Sequence, residues 1–215
     1  MTTHRISRFT LTLLASVTLA GALSACIPLV VGGAAVGSMM SLDRRTSGAQ
    51  IEDEGIELRG ASRLREAFGD RVHINITSYN RQVLLTGEVG NERDKAAAEQ
   101  VISRVENVKS IVNELAISGA SSLQQRSADV LTTGKVKASL VDAKDLQAGA
   151  FKVVTERGTV YLMGRVTQRE ADRATQMTRT IGGVQRVVRI FEILSVEELN
   201  AMQPPAPRAA ASAPR

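Results

Sequence analysis

The stretch Val83-Leu84-Leu85-Thr86-Gly87-Glu88-Val89 returns later in the chain as Val160-Tyr161-Leu162-Met163-Gly164-Arg165-Val166. The match extends outward from this pair, with residues 74–117 aligning on 151–193. Glu92-Arg93-Asp94 falls on Gln168-Arg169-Glu170 after one extra residue, Gly90, in the first copy, and Val105-Glu106-Asn107-Val108 falls on Ile181-Gly182-Gly183-Val184. A repeat of this kind sets the unit of folding before any motif is interpreted. Val83, Leu85, Gly87, Val89 and their counterparts Val160, Leu162, Gly164, Val166 alternate as half-buried strands do. Asn80-Arg81 and Arg157-Gly158 supply hairpin turns before these strands, and Ile74/Ile76 and Phe151/Val153 mark the preceding strands. A glycine inside a strand points to a bulge or a close backbone approach, which is expected of Gly87 and Gly164.

Ala98, Val101, Val105 and Ala174, Met177, Ile181 are spaced three and four apart, as one face of a helix requires. Further helical stretches lead each copy, near 52–68 and 129–142, with Asp53 and Asp129 placed to cap them and complement the helix dipole. Last strands are expected near 111–117 and 187–193. The fold class is therefore α+β: two tandem αββαβ modules, each a three-stranded sheet covered by two helices on its own core. This order, with the glycine inside the repeated Val-x-Leu-x-Gly-x-Val strand, resembles the BON domain family over residues 52–194.

The N-terminus reads as an address. Arg5 and Arg8 precede an apolar run from Phe9 to Ala22, the charged and apolar regions of a secretory signal. Leu23-Ser24-Ala25-Cys26 then resembles a bacterial lipobox, with Cys26 as the site of lipid attachment, which accounts for the single Cys. Cleavage after Ala20-Gly21-Ala22 would leave an unexplained exported thiol. An uncleaved anchor would have to run through Pro28, Gly32, Gly33 and Gly37, which split the uncharged stretch into short pieces. Several acyl chains make a stable anchor where one is marginal, at about 0.8 kcal/mol per buried CH₂. Ile27, where Asp would signal inner-membrane retention, favours the outer membrane. The segment Asp43-Arg44-Arg45-Thr46-Ser47-Gly48-Ala49-Gln50, between the lipobox and the first copy, resembles the corresponding part of dual-BON outer-membrane lipoproteins. That resemblance implies a periplasm-facing, non-enzymatic lipoprotein that supports envelope integrity and binds anionic phospholipid through its second module.

The expected organisation is a lipoprotein signal over 1–25, a lipidated flexible tether over 26–50, BON domain 1 over 51–118, a linker over 119–126, BON domain 2 over 127–196 and a disordered Pro/Ala-rich tail over 197–215.

Chemistry is scarce. With one Cys and two His residues, His4 and His73, no Cys/His metal cage assembles, and neither a metal site nor a cofactor is expected. No nucleophile set is present, and Gly32-Gly33-Ala34-Ala35-Val36-Gly37 has Ala where a dinucleotide fingerprint needs its second Gly. His73 reads as a surface strand residue. The net charge of +5 is diffuse, without basic blocks or aromatic interleaving, which argues against nucleic acid as a partner. Its distribution is more informative: residues 43–118 hold 11 Lys+Arg against 13 Asp+Glu, and residues 119–202 hold 12 against 9.

The second module is thus the better candidate for an anionic surface. In helix 129–142, if Thr132, Val136 and Leu140 face the sheet, Leu131 with Lys135 and Val130 with Lys137 fall on flanking, more exposed faces. Val130, Leu131, Gly134, Lys135 and Lys137 are the candidate phospholipid-binding residues. The competing reading puts Val130 and Leu131 in the module core with both Lys merely solvated, and an aromatic anchor expected from the resemblance is Leu131 here. The alternative function is an envelope scaffold binding protein or peptidoglycan partners.

Overall fold

The computed structural model describes residues 43–202, which belong to one compact unit; the signal, Cys26 and the end of the tail lie outside the described residues. The first module runs α1 (Ser47–Phe68), β1 (His73–Tyr79), β2 (Gln82–Val89), α2 (Glu92–Ser103), β3 (Ser110–Asn113) and β4 (Ala116–Ile117). The second repeats this order as α3 (Leu123–Asp142), β5 (Phe151–Glu156), β6 (Thr159–Val166), α4 (Gln168–Arg179) and β7 (Arg186–Ile193), and a short α5 (Val196–Ala201) follows. In each sheet the second strand is central, antiparallel to its hairpin partner and parallel to the last strand. Leu115 is buried in the first core, and at this residue the last strand of that module is interrupted, whereas β7 is continuous.

Each module has its own helix-to-sheet core. Val83, Leu85 and Val89 meet Ile56, Leu64, Ala98 and Ile102 in the first, and Val160, Leu162 and Val166 meet Val136, Leu140, Ala171 and Ala174 in the second. The alternation expected of half-buried strands needs correction, because residues of the opposite parity are buried too. Leu84 and Tyr79 pack with Tyr161, Met163 and Ile190 in a third core between the two sheets, flanked by Val112, Val154 and Val188. The reason lies in the strands themselves: Leu84, Tyr161 and Met163 put apolar groups on the face the helices leave bare, and that face is covered by the other module.

Polar contacts ring this inter-sheet core. Lys152 Nζ donates to Glu57 Oε1 at 2.8 Å and to the Ser78 carbonyl at 3.1 Å, Arg186 reaches Glu114 at 2.6 Å, and Asn80 donates to Glu192 at 2.5 Å. Burial together with the Glu114 charge pushes the Tyr161 hydroxyl up to about 12.

The long helices begin earlier than the periodicity indicates. Thr46 caps α1 by accepting the Ala49 N–H, and Ser122 with Gln125 forms a reciprocal capping box that starts α3 at Leu123. Residues 47–50 and 123–126, expected in a tether and a linker, are thereby helical. The helix Val196–Ala201, started by a Ser195/Glu198 box, runs from the expected end of the second domain through 197–201, which were expected in the tail.

Asp53 and Asp129 therefore do not cap their helices. Buried within α1 and α3, they hold the hairpin turns: Asp53 accepts the N–H groups of Asn80 and Arg81, each at 2.7 Å, and the Ser78 hydroxyl at 2.6 Å. Asp129 accepts the N–H groups of Arg157 at 2.7 Å and Gly158 at 2.8 Å. These turns need left-handed backbone at both central residues, with φ of 50° and 66° at Asn80 and Arg81 and 52° and 70° at Arg157 and Gly158. Charge-assisted bonds from a carboxylate to consecutive amides offset the strain of three non-glycine residues in that region. Burial opposes ionisation of Asp53, but the bonds from Ser78, Arg81, Arg45 and Asn80 hold its carboxyl below the usual range. Gly87 shows the close approach anticipated for it: at φ 110°, a Cβ there would lie 2.0 Å from the His73 carbonyl oxygen.

The segment before α1 fastens one module to the other. Arg44 forms a fork with Glu170 of α4, Nη2 to Oε1 at 2.7 Å and Nη1 to Oε2 at 2.8 Å, and also donates to the Arg165 carbonyl at 3.0 Å. Arg45 pairs with Asp53 at 2.8 Å while its guanidinium lies 4.4 Å from the centre of the Tyr79 ring. Burial raises the Glu170 carboxyl, but the Arg44 guanidinium and the Thr167 N–H and hydroxyl outweigh it and hold the group at about 2.

Met163→Ala, in the inter-sheet core, is expected to cost about 2–4 kcal/mol in a chemical-denaturation titration. Arg44→Ala should cost about 3 kcal/mol, since it strands the buried Glu170 carboxylate. The Glu170 contribution is fully present above its ordinary value of 4.5 and is lost as the pH falls toward about 2. Acid melts of Glu170→Gln should accordingly show a flatter loss of stability across that window than the wild type.

Candidate functional site

Asp129, Thr132, Val136 and Leu140 form the buried side of α3, so the outward side follows from a rotation of about 100° per residue. Leu131, Gly134 and Ala138 lie along its middle. Leu123, Val130, Lys137 and Val141 share one flank, and Lys135 lies on the other. Four apolar side chains of this helix face solvent: Leu123 is 81% exposed, Val130 70%, Leu131 67% and Val141 70%. Lys135 and Lys137 are exposed beside them, Lys135 within 3.4 Å of the Gly182 carbonyl. A Cβ at Gly134 would meet nothing within 4 Å, so this position faces open space.

The structure thus places Val130, Leu131, Gly134, Lys135 and Lys137 together on solvent-facing α3, and Val130 and Leu131 do not complete the core. The sequence reading missed Leu123 and Val141. Their signal was spacing: they stand seven residues before and eleven after Val130, which returns both to its flank. Among the described residues, no helix is long and apolar enough to cross a membrane.

A second cluster lies where the modules meet, on the strands. His73 of β1 shares a hydrogen bond from Nδ1 to Glu88 Oε2 of β2 at 2.9 Å, and Glu156 of β5 brings a carboxylate oxygen within 4.8 Å of these atoms. His73 is thus half-buried and hydrogen-bonded to a buried carboxylate, unlike the plain surface strand residue expected. Arg157 Nη1 lies 3.5 Å from Glu88 Oε1, and Asn75 Nδ2 donates to Glu156 Oε2 at 3.1 Å. Burial disfavours ionised Glu88, yet the bonds from His73 and Ser121 hold its carboxyl below the usual range. Glu156 moves the other way. Burial raises it, and the charges of Glu88 and Asp129 add to that rise against the Asn75 bond and His73.

Comparison with known proteins places the repeated fold in a family. The BON domain pattern matches residues 54–119 and again 128–194. Outer membrane lipoprotein DolP of Haemophilus influenzae is 35% identical over 174 residues, covering 80% of this chain and 90% of that protein. The 21 kDa hemolysin of Actinobacillus pleuropneumoniae is 30% identical over 152 residues, covering 70% of this chain and 78% of the relative. Osmotically-inducible protein Y of Escherichia coli is 30% identical over 117 residues, covering 53% of this chain and 58% of that one. With the pattern matched twice, in register with the two αββαβ units, the chain belongs to the BON domain family and carries two BON domains in tandem.

Proposed function

We propose that this chain is a lipid-anchored protein of the outer membrane, facing the periplasm, whose second BON domain binds anionic phospholipid through the outward face of α3 and thereby supports envelope integrity. One observation carries the binding assignment: Leu123, Val130, Leu131 and Val141 stand in solvent on a helix that also bears Lys135 and Lys137. Apolar side chains gain by entering the headgroup region, and each Lys near an anionic surface adds about 1 kcal/mol. The excess of Lys+Arg over Asp+Glu in residues 119–202, against a deficit in 43–118, supports the same module. The anchor assignment rests on Cys26 behind its apolar signal and is supported by the likeness to an outer membrane lipoprotein. The scaffold reading draws on a different place, Ile51 and Leu58 of α1, 72% and 74% exposed on a helix of the first module.

Flotation of the unacylated 43–202 fragment with vesicles distinguishes the two. Binding to phosphatidylglycerol vesicles and not to neutral ones is expected, weakening as salt screens exposed charges within about 8 Å at physiological ionic strength. Lys135→Glu with Lys137→Glu should lower that binding by more than about thirtyfold, since reversing two charges removes over ~2 kcal/mol, with circular dichroism unchanged. The same reversal at Arg63 and Arg65 on α1 should matter much less. Equal binding by the α3 double variant and the wild type at low salt would move the site elsewhere and favour the scaffold.

Cys26→Ala in the full chain should abolish labelling by a radioactive fatty acid and leave a precursor, because the chain has one acceptor thiol. Labelling that persists would refute the anchor.

A further inference from the structure

The cluster at the module boundary has the makings of a ligand set that lipid binding does not use. His73 and Glu88 come from the β1–β2 hairpin of the first module, and Glu156 ends β5 of the second. Their ligand-capable atoms, one imidazole nitrogen and two carboxylate oxygens, all lie within 4.8 Å of one another. Glu88 and Glu156 are buried; His73 and Glu88 open on a cleft of about 590 Å³, and His73 and Glu156 on a smaller one of about 210 Å³. We propose that His73, Glu88 and Glu156 bind a divalent transition-metal cation, zinc by the chemistry of the set, as a clasp between the two BON domains.

Three arguments support the assignment. One nitrogen and two carboxylate oxygens form a borderline donor set that suits Zn²⁺, whereas Mg²⁺ and Ca²⁺ prefer oxygen alone. A tetrahedral zinc with bonds of about 2.0–2.1 Å needs its ligand atoms about 3.3 Å apart. His73 and Glu88 already stand at 2.9 Å, so assembly requires a modest side-chain movement that brings Glu156 in. The clefts leave water access for a fourth position.

Second, the carboxylates are held by neighbours of the kind that orient metal ligands. Arg157 engages Glu88 Oε1 at 3.5 Å while Oε2 faces the imidazole, and Asn75 fixes Glu156 Oε2 at 3.1 Å. Third, the charge is uneven. Glu88, Glu156 and Asp129 converge on this place; Asp129 is committed to the turn amides, the Arg157 guanidinium reaches Glu88 and the Ser118 hydroxyl but not Glu156, and Arg126, which lines the same clefts, donates to Ser121. A dication between Glu88 and Glu156 would relieve their repulsion.

The test is zinc chloride titrated into the full chain in competition with a chromophoric zinc chelator, at neutral pH. One equivalent should bind with micromolar or tighter affinity, unaffected by millimolar magnesium, and should raise the thermal midpoint. His73→Ala should weaken that binding at least tenfold and remove the thermal shift. Glu156→Gln, which keeps shape and removes the charge contributed by the second module, should weaken it at least several-fold. Circular dichroism on both variants keeps loss of ligand distinct from loss of fold, and the two substitutions check each other. Zinc that binds equally to the wild type and His73→Ala is held elsewhere and overturns the proposal. Binding that needs His73 but ignores Glu156→Gln overturns the clasp, as does an absence of binding to the wild type.

Discussion

A sheet with apolar groups on both faces cannot stop at one layer of helices, and this constraint governs the molecule. In β2 and β6 one parity of side chains meets the helices, and the other carries Leu84, Tyr161 and Met163. Water contact at those residues is avoided by setting the sheets against each other, giving helices, sheet, sheet, helices as successive layers. The ion pairs and hydrogen bonds at the margin fix which strands oppose which, while the apolar centre supplies most of the gain from burial.

The two buried aspartates and the Arg44 fork adapt this arrangement locally. Asp53 and Asp129, about two turns into their long helices, tie each helix to the tip of the hairpin beneath it, so that helix, turn and sheet edge are joined at one corner in each module. Arg44 does the same between modules. It lies outside both repeats, yet its guanidinium is seated on Glu170, which also closes the capping box of α4. One carboxylate thereby serves a helix start and an interdomain joint, which explains why its ionisation is so strongly favoured.

The same architecture leaves α3 with a solvent side richer in apolar residues than its sheet side demands. Thr132, Val136 and Leu140 suffice to seat the helix, so Leu123, Val130, Leu131 and Val141 are not required by the fold. Surface aliphatic residues cost little stability singly, but four on one helix next to two Lys form a surface suited to a headgroup layer.

The sequence by itself determined the repeat, the α+β class, the hairpins and the order of elements, because strand alternation, helical spacing and turn residues act over a few positions and are written locally. Helical rotation offered Val130, Leu131, Lys135 and Lys137 as flanking faces but left Val130 and Leu131 open between solvent and core, and the tertiary structure turned them to solvent. Its misreadings have a common cause. The helix starts at Ser47 and Leu123 were hidden because capping residues there precede any apolar period, and Asp53 and Asp129 looked like caps because their true partners are turn amides more than 25 residues away. Only the tertiary structure decided that the modules share an inter-sheet core, that Arg44 meets Glu170, and that His73, Glu88 and Glu156 converge. Those contacts join residues far apart in the chain, and their geometry depends on how two sheets twist and stack, a property that no local window of sequence contains.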